Sequence, residues 1–267
     1  MLHADATVED GTIFFISDAH LGSPDGPADR ESWLIDLMKE AAESARALFI
    51  LGDLFDFWFE YRRAVPKETF RICRAIADCV DNGVEVFYLG GNHDFWVCDY
   101  LQSELGVRSF ADPINAHLHG RWVHMAHGDG LGPGDGAYKV LKSILRHPIA
   151  IGAYRLLHPD FGIPFANFAS TASRGKHVAP REILVPRVVR DIARPRLQGE
   201  TSAMLMGHVH MPTHVEEDGR EFLLIGDWIE KFTHVRMEKA SFTLYQRQPD
   251  GTHQPLAREP FPPSPPG

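Results

Sequence analysis

Five short motifs rich in Asp, Asn and His occur along the 267-residue chain. Each follows a run of apolar residues that is typical of a buried strand, and four of them contain a glycine. Imidazole, carboxylate and amide oxygen together suit divalent cations such as Mn²⁺, Zn²⁺ or Fe²⁺. The motifs are D-x-H at Asp18 and His20, G-D-x-x-D at Asp53 and Asp56, G-N-H-D at 91–94, H-G-D at His127 and Asp129, and G-H-x-H at His208 and His210.

Seven side chains in these motifs are candidate metal ligands. An Asp carboxylate can bridge two cations, and two-metal hydrolases hold their ions about 3.5–4 Å apart. In D-x-H and H-x-H the outer residues lie on one side of an extended chain, so each pair can reach one centre. No cysteine lies in a motif, which excludes thiolate ligation. The candidate ligands are Asp18, His20, Asp53, Asn92, His127, His208 and His210.

Strands that alternate with helices must position these motifs. Helices are predicted over about 30–44 and 66–82, and hairpin turns at Gly120 and Asp218-Gly219 predict a more antiparallel second half. Strands joined by crossover helices form a sheet whose carboxyl ends gather ligands at one edge. The predicted strands are TIFFIS (12–17), ALFIL (47–51), EVFYL (85–89), RWVHMA (121–126) and AMLM (203–206).

The strand pattern stops over residues 131–200, which predict an inserted helical lid interrupted by prolines. Residues 137–200 hold eleven Lys/Arg against four Asp/Glu, a balance of +7, which leaves −16 for the rest of the chain. A basic segment in an acidic protein favours an anionic ligand, with a solvated helical face as the alternative. The Pro-rich end of the chain, 250–267, is expected to be disordered.

Composition limits the classes of function. The net charge of −9 argues against general nucleic-acid binding, which requires clustered Lys and Arg. No run of about 18 apolar residues predicts a transmembrane helix, and the acidic N-terminus lacks the apolar core of a signal peptide. The three cysteines show no C-x-x-C pairing and fit a reducing compartment, so the expected location is the cytoplasm.

The five motifs, in this order, resemble those of the calcineurin-like metallophosphoesterase superfamily. They span residues 18–210, and no motif position is missing. The resemblance implies one α/β domain over 1–267, built as a four-layer αββα sandwich with a helical lid insertion. It also implies that Asp53 bridges two divalent metals. The remaining ligands would be Asp18, His20 and His210 at one metal, and Asn92, His127 and His208 at the other.

Four polar residues of the same motifs are expected to act beside the metals. His93 is placed to stabilise or protonate the leaving oxygen, with Asp94 orienting its ring. The alternative for His93 is a hydrogen-bonding role behind the ligands. Asp56 and Asp129 are expected to hydrogen-bond to metal-bound histidines and not to bind metal themselves.

Longer stretches resemble the UDP-2,3-diacylglucosamine hydrolases of lipid A biosynthesis. These stretches are FFISDAHLG, LFILGDLFDFWFEY, GNHDF and HGDGL, followed by an insertion that opens GDGAYKVLKSILRHP. The resemblance implies cleavage of a pyrophosphate, usually with Mn²⁺, to release UMP and an acylated sugar 1-phosphate.

The insertion offers both parts of a site for such a lipid-linked nucleotide sugar. The apolar stretch 144–168 would form one wall of an acyl-chain cleft, or alternatively pack the insertion onto the core. An exposed apolar groove would also favour peripheral contact with the inner membrane. The cations expected to bind the diphosphate are Lys139, Lys142, Arg146, Arg174 and Lys176.

One position departs from the best-known branch of these hydrolases, which has Arg where this chain has His93. His is the residue of the wider superfamily at this position. A soluble calcineurin-like phosphodiesterase or nucleotide pyrophosphatase with a non-lipid substrate is therefore the first alternative. The second is a non-catalytic binding protein on the same fold, which the complete ligand set disfavours.

Overall fold

The computed structural model describes residues 2–97, 99–132, 135–163 and 179–263. Fourteen strands form two seven-stranded sheets. The strands are β1 (Ala6–Val8), β2 (Thr12–Ile16), β3 (Ala45–Ile50), β4 (Glu85–Leu89), β5 (Arg108–Phe110), β6 (Ile114–Leu118), β7 (Arg121–Ala126), β8 (Thr201–Met206), β9 (Thr213–Glu217), β10 (Arg220–Leu224), β11 (Thr233–Glu238), β12 (Ser241–Arg247), β13 (His253–Pro255) and β14 (Glu259–Pro260).

The helices lie on the outer faces of the sheets and in the insertion. A 3₁₀ turn at Lys67–Thr69 leads into the second helix, and a π-helical turn at Val189–Ala193 joins the last two. The helices whose bounds both lie within the described residues are α1 (Arg30–Ser44), α2 (Phe70–Asp81), α3 (Tyr100–Ser103), α4 (Gly136–Leu145), α5 (Pro148–Tyr154), α6 (Arg181–Val188) and α7 (Arg194–Arg196). None of these is long and apolar enough to cross a membrane.

The two sheets pack face to face through an apolar layer. The first sheet has the order β13-β12-β11-β2-β3-β4-β5 and the second β1-β6-β7-β8-β10-β9-β14. In the middle of the layer the ring of Phe49 stacks on Phe15 at 5.2 Å and on Phe87 at 4.4 Å between centroids. These rings meet Val123 and Leu205 of the second sheet. The contact fixes the position of one sheet on the other, because protein interiors are close-packed.

Helices cover both outer faces of this pair of sheets. On the first sheet, buried residues of α1 and α2 such as Leu34 and Ile76 pack on Phe14. On the second sheet, α6 and the π-helical turn pack apolar residues such as Ile192 on Phe222. The layers therefore follow the order helix, sheet, sheet, helix, which confirms the predicted αββα sandwich.

Local patterns predicted most of the core elements. α1 has the predicted bounds 30–44, and β4 and β7 match the predicted strands 85–89 and 121–126. The hairpins β6-β7 and β9-β10 are antiparallel, as their turns predict. The second half is nevertheless mixed, since β8 pairs in parallel with both β7 and β10.

Residues 253–261 are ordered in the structure, which differs from the prediction of disorder over 250–267. β13 pairs with β12, β14 pairs with β9, and Phe261 is buried on the second sheet. Both strands lie at sheet edges. Proline has no backbone N–H to donate to a neighbouring strand. An edge strand tolerates Pro255 and Pro260 because one of its sides has no neighbouring strand.

Helices α4 to α7 all lie between β7 and β8, within residues 131–200. They belong to two different parts of the fold. α6 and α7 form part of the outer layer on the second sheet, whereas α4 and α5 contact the loops that follow β4 and β7. The apolar stretch predicted to end at residue 168 extends beyond 163, into residues outside those described.

Candidate metal centre

The five motifs converge at one end of the sandwich, where β2, β3, β4, β7 and β8 end. Backbone hydrogen bonds join the loops, such as Asp18 N–H to the Gly52 carbonyl at 3.0 Å and Gly207 N–H to the His127 carbonyl at 3.0 Å. Three groups of potential ligand atoms result, with the atoms of each group within 4.8 Å of one another. The groups are Asp18, His20 and His210; Asp53, His127 and His208; and His20, Asp53 and His93.

Asp18 lies at the centre of the first group. Its Oδ1 is 3.1 Å from His210 Nε2 and 3.9 Å from His20 Nε2. Its Oδ2 accepts hydrogen bonds from the Ser17 hydroxyl at 2.5 Å and the His208 backbone N–H at 2.8 Å. Both ring nitrogens of His20 are buried without a hydrogen bond to any described residue. Such orphaned nitrogens are rare unless a ligand or ion satisfies them.

Asp53 belongs to the second group and also faces the first. Its Oδ2 is 3.6 Å from His20 Nε2 and 3.3 Å from His127 Nε2, so one oxygen faces both groups. His127 Nδ1 is 2.8 Å from the Leu51 carbonyl, to which it donates, and Nε2 is thereby left for a cation. Asn92 Oδ1 lies 3.1 Å from that same Nε2. This arrangement fits a carboxylate that bridges two cations.

The backbone at the site adopts left-handed conformations at residues that do not normally favour them. Five of the seven candidate ligands have φ between 44° and 67°. A left-handed conformation costs about 1–3 kcal/mol at residues other than glycine and clusters at functional sites. The five residues are Asp18, His20, Asp53, His208 and His210.

The electrostatics of the site balance buried carboxylates with imidazolium groups. Burial raises the pKa of Asp53, but His127 and His20 oppose it and hold that pKa well below its usual range. Burial lowers the pKa of His127, but Asp53 and Asp18 raise it well above the usual range. Against the same effect of burial, Asp18 raises the pKa of His210 to about 9. The positive charge of the protonated histidines balances the carboxylates here. Divalent cations would supply the same balance when bound.

Asp56 contacts two histidines. Its Oδ1 is 3.5 Å from His20 Nδ1 and 3.6 Å from His93 Nδ1. Its backbone carbonyl lies 2.9 Å from His93 Nδ1 and accepts a hydrogen bond from that nitrogen. Asp56 is therefore placed to orient the rings of both His20 and His93.

The role predicted for Asp94 is corrected by these contacts. Asp94 Oδ1 accepts hydrogen bonds from the backbone N–H groups of Gly91 at 2.7 Å and Asp53 at 3.1 Å. Its Oδ2 accepts from the Leu54 N–H at 2.8 Å and from the Tyr88 hydroxyl. With both oxygens engaged in this way, Asp94 fixes the loop that carries Asp53 and does not orient the ring of its neighbour.

Asp129 also has a different partner from the one predicted. It was expected to support a metal-bound histidine, but its Oδ2 accepts hydrogen bonds from the Tyr138 hydroxyl at 2.7 Å and Lys142 Nζ at 2.5 Å. Both donors belong to α4, which returns across the loop that contains His127. The contact therefore joins the insertion to the H-G-D loop.

The basic residues of α4, together with Arg146 just after its end, lie close together beside this loop. With His127 and Asp129 they line a cavity of about 320 Å³. Arg146 donates to the Ala111 carbonyl at 2.9 Å, whereas the ammonium of Lys139 makes no hydrogen bond or ion pair with the described residues. The three residues are Lys139, Lys142 and Arg146. Two further predicted cations, Arg174 and Lys176, lie outside the described residues.

Three supporting residues were not predicted from the sequence. Ser17, Tyr88 and Tyr138 donate hydroxyl hydrogen bonds to Asp18, Asp94 and Asp129 respectively. Only Tyr138 carried a usable signal, because it lies four positions before Lys142 and therefore on the same helical face.

This fold and this cluster of ligands define a metal-dependent phosphoesterase. The chain belongs to the calcineurin-like phosphoesterase family, whose sequence profile matches residues 11–212. That family binds a dinuclear metal centre, and the protein is accordingly a metal-dependent hydrolase.

Several curated relatives are named UDP-2,3-diacylglucosamine hydrolase. The relative from Porphyromonas gingivalis is 33% identical over 252 residues, covering 87% of this chain and 96% of the relative. The one from Nitrosococcus oceani is 31% identical over 221 residues, covering 80% and 86%. The one from Pseudomonas fluorescens is 28% identical over 236 residues, covering 87% and 94%.

Gly91→Ala is expected to disrupt metal binding. A Cβ at this position would lie 2.1 Å from Asp53 Oδ1 and 2.6 Å from Asp53 N, so the carboxylate would have to move. Titration calorimetry should find about two Mn²⁺ per wild-type chain and a loss of about tenfold or more in affinity for the variant. Mn²⁺ should also raise the melting temperature of the wild type more than that of the variant.

Gly152→Ala is the matched control, because a Cβ there meets no atom within 4 Å. It should bind Mn²⁺ as the wild type does. Wild-type affinity and stoichiometry in Gly91→Ala would contradict the central position given to Asp53.

Proposed function

We propose that the protein hydrolyses UDP-2,3-diacylglucosamine to UMP and 2,3-diacylglucosamine 1-phosphate, a step of lipid A biosynthesis. The extent of the match to relatives of that name carries the proposal. A match over 87% of the chain has to include part of the insertion as well as the metal-binding motifs. The insertion is the part of the chain that we expect to distinguish a lipid substrate from a small diester.

The metal ligands are proposed to form two sets that share Asp53. Support comes from the short distances within the Asp18 and Asp53 groups and from His20 Nε2, which is buried without a hydrogen bond to any described residue. The mixed nitrogen and oxygen donors suit Mn²⁺, with Zn²⁺ or Fe²⁺ as alternatives. When bound, two such cations lower the pKa of a water and neutralise phosphoryl oxygens. The sets are Asp18, His20, Asp53 and His210, and Asp53, Asn92, His127 and His208.

His93 is proposed to protonate the leaving oxygen, with Asp56 as the residue that orients it. The hydrogen bond from His93 Nδ1 to the Asp56 carbonyl, at 2.9 Å, leaves Nε2 to face the substrate. The Asp56 carboxylate lies 3.6 Å from the same Nδ1 and helps to hold the ring in this orientation. Hydrogen bonding without proton transfer is the alternative role.

The purified protein with Mn²⁺ should release UMP from UDP-2,3-diacylglucosamine. Its kcat/KM should exceed that for UDP-sugars and bis-p-nitrophenyl phosphate by about a hundredfold or more, since each buried methylene contributes about 0.8 kcal/mol. Asp53→Asn should abolish all three activities. Turnover of only the two small substrates would favour a phosphodiesterase or nucleotide pyrophosphatase with a non-lipid substrate.

The role of His93 can be tested by varying the leaving group. His93→Asn should slow hydrolysis of diphenyl phosphate by about 10²–10⁴-fold, because phenolate needs a proton as it leaves. The loss should be clearly smaller for bis-p-nitrophenyl phosphate, whose leaving group is a weaker base. Mn²⁺ content should be unchanged. Equal losses on both diesters would assign His93 a role other than proton donation.

The protein is also proposed to act in the cytoplasm, in peripheral contact with the inner membrane through α4, α5 and the residues just after α5. Ile149, Leu156 and Phe161 are 75% to 87% exposed. They lie in the segment 137–200 with its balance of +7, and apolar anchors with nearby cations suit an anionic lipid surface. Cys73 and Cys79 are free and buried, which fits a reducing compartment.

Vesicles of phosphatidylethanolamine and phosphatidylglycerol should therefore sediment the wild-type protein. Leu156→Ser and Ile149→Ser should each weaken this binding by about tenfold, the value of one buried apolar side chain. Phe70→Ser is the control, since Phe70 is 69% exposed but lies on α2. Equal sedimentation of all four proteins would contradict contact through α4 and α5.

A further inference from the structure

Helix α4 has its polar side turned inward. Val140, Leu141 and Ile144 are 51% to 61% exposed. Tyr138 and Lys142, which lie one turn apart and face the loop after β7, are partly buried. A helix on the surface of a globular protein normally buries its apolar face. Polar contacts must therefore hold α4 in place.

The central polar contact is made by Asp129. This carboxylate is buried, and a single oxygen accepts both the Tyr138 hydroxyl at 2.7 Å and Lys142 Nζ at 2.5 Å. The Lys142 side chain is only 22% exposed. A charge with so little access to water needs a partner, and hydrogen bonds between ionised groups are about twice as strong as neutral ones.

Other contacts act at the opposite end of the helix. Arg146 donates to the Ala111 carbonyl at 2.9 Å, and the Trp96 indole N–H donates to the Leu145 carbonyl at 2.9 Å. The first half of α4 depends on the contact with Asp129. Its packing there is close, because a Cβ at Gly130 would lie 3.2 Å from the ring of Tyr138.

We propose that Asp129 is a positioning residue that docks α4 beside His127, with Lys142 as its counter-ion. Asp129 follows His127 by two residues, so one loop sets both a candidate ligand and the docked helix. Lys142 is then not available to the substrate, and Lys139 is the cation of α4 left to meet its phosphate. The effect on catalysis rests on the proposed hydrolase function, whereas the docking does not.

Hydrogen–deuterium exchange over residues 136–145 tests the docking directly, without substrate. Lys142→Met should accelerate exchange of these amides by about tenfold or more, and Tyr138→Phe by less, because a charged hydrogen bond is worth more than a neutral one. Lys142→Arg should restore slow exchange. Lys139→Met is the matched control on the same helix and should exchange as the wild type does.

Kinetics give an independent test of how Lys142 acts. Lys142→Met should raise KM for the lipid-linked substrate several-fold, a larger factor than any change in kcat, and should raise KM for bis-p-nitrophenyl phosphate by less. Asp129→Asn combined with Lys142→Met should add little to either single change, as expected for residues that act as a pair.

Two results would overturn the proposal. One is wild-type exchange in Lys142→Met together with a raised KM, which would make Lys142 a direct substrate contact. The other is equal acceleration in Lys142→Met and Lys139→Met. Failure of the proposed function would give a different result. The wild-type protein would not hydrolyse the lipid-linked substrate, but hydrogen–deuterium exchange in the variants would still follow the expected pattern.

Discussion

The carboxylate of Asp53 is the group on which the rest of the site depends. It is buried between histidines of both candidate metal groups, and its other oxygen accepts the His93 backbone N–H at 2.8 Å. Asp94 binds its backbone N–H, and the absence of a side chain at Gly91 leaves the room that it occupies. The G-N-H-D motif therefore shapes the site largely by fixing the G-D-x-x-D loop.

Without bound metal, placing these carboxylates in the interior costs folding free energy. Asp18 and Asp53 are both buried, each raises the pKa of neighbouring imidazoles, and each has a left-handed backbone. Without cations, protonated histidines must supply the balancing charge. Divalent metals would replace those protons and satisfy His20 Nε2, so metal binding and stability are expected to be coupled.

The sequence predicted what depends on local pattern and failed where side-chain direction decides. Apolar residues predicted β4 and β7, because the side chains of a strand that point into the core must be apolar. Adjacency suggested that Asp94 orients His93, but consecutive side chains after a turn point apart, and the partner is Asp56 from another loop. The pattern of α4 predicted a helix but not the reversal of its faces, since periodicity alone does not say which face packs on the core.

The reversal of α4 also changes how the charge of the insertion should be interpreted. The balance of +7 over residues 137–200 suggests a strongly basic site. Yet Lys142 is paired with Asp129, and Arg146 lies 3.6 Å from Asp112 and donates to a carbonyl. Of the basic residues of this segment that the structure describes, few are therefore left for an anionic substrate. Among the described residues, Lys139 and the ligands of the metal centre are then the groups placed to neutralise a diphosphate.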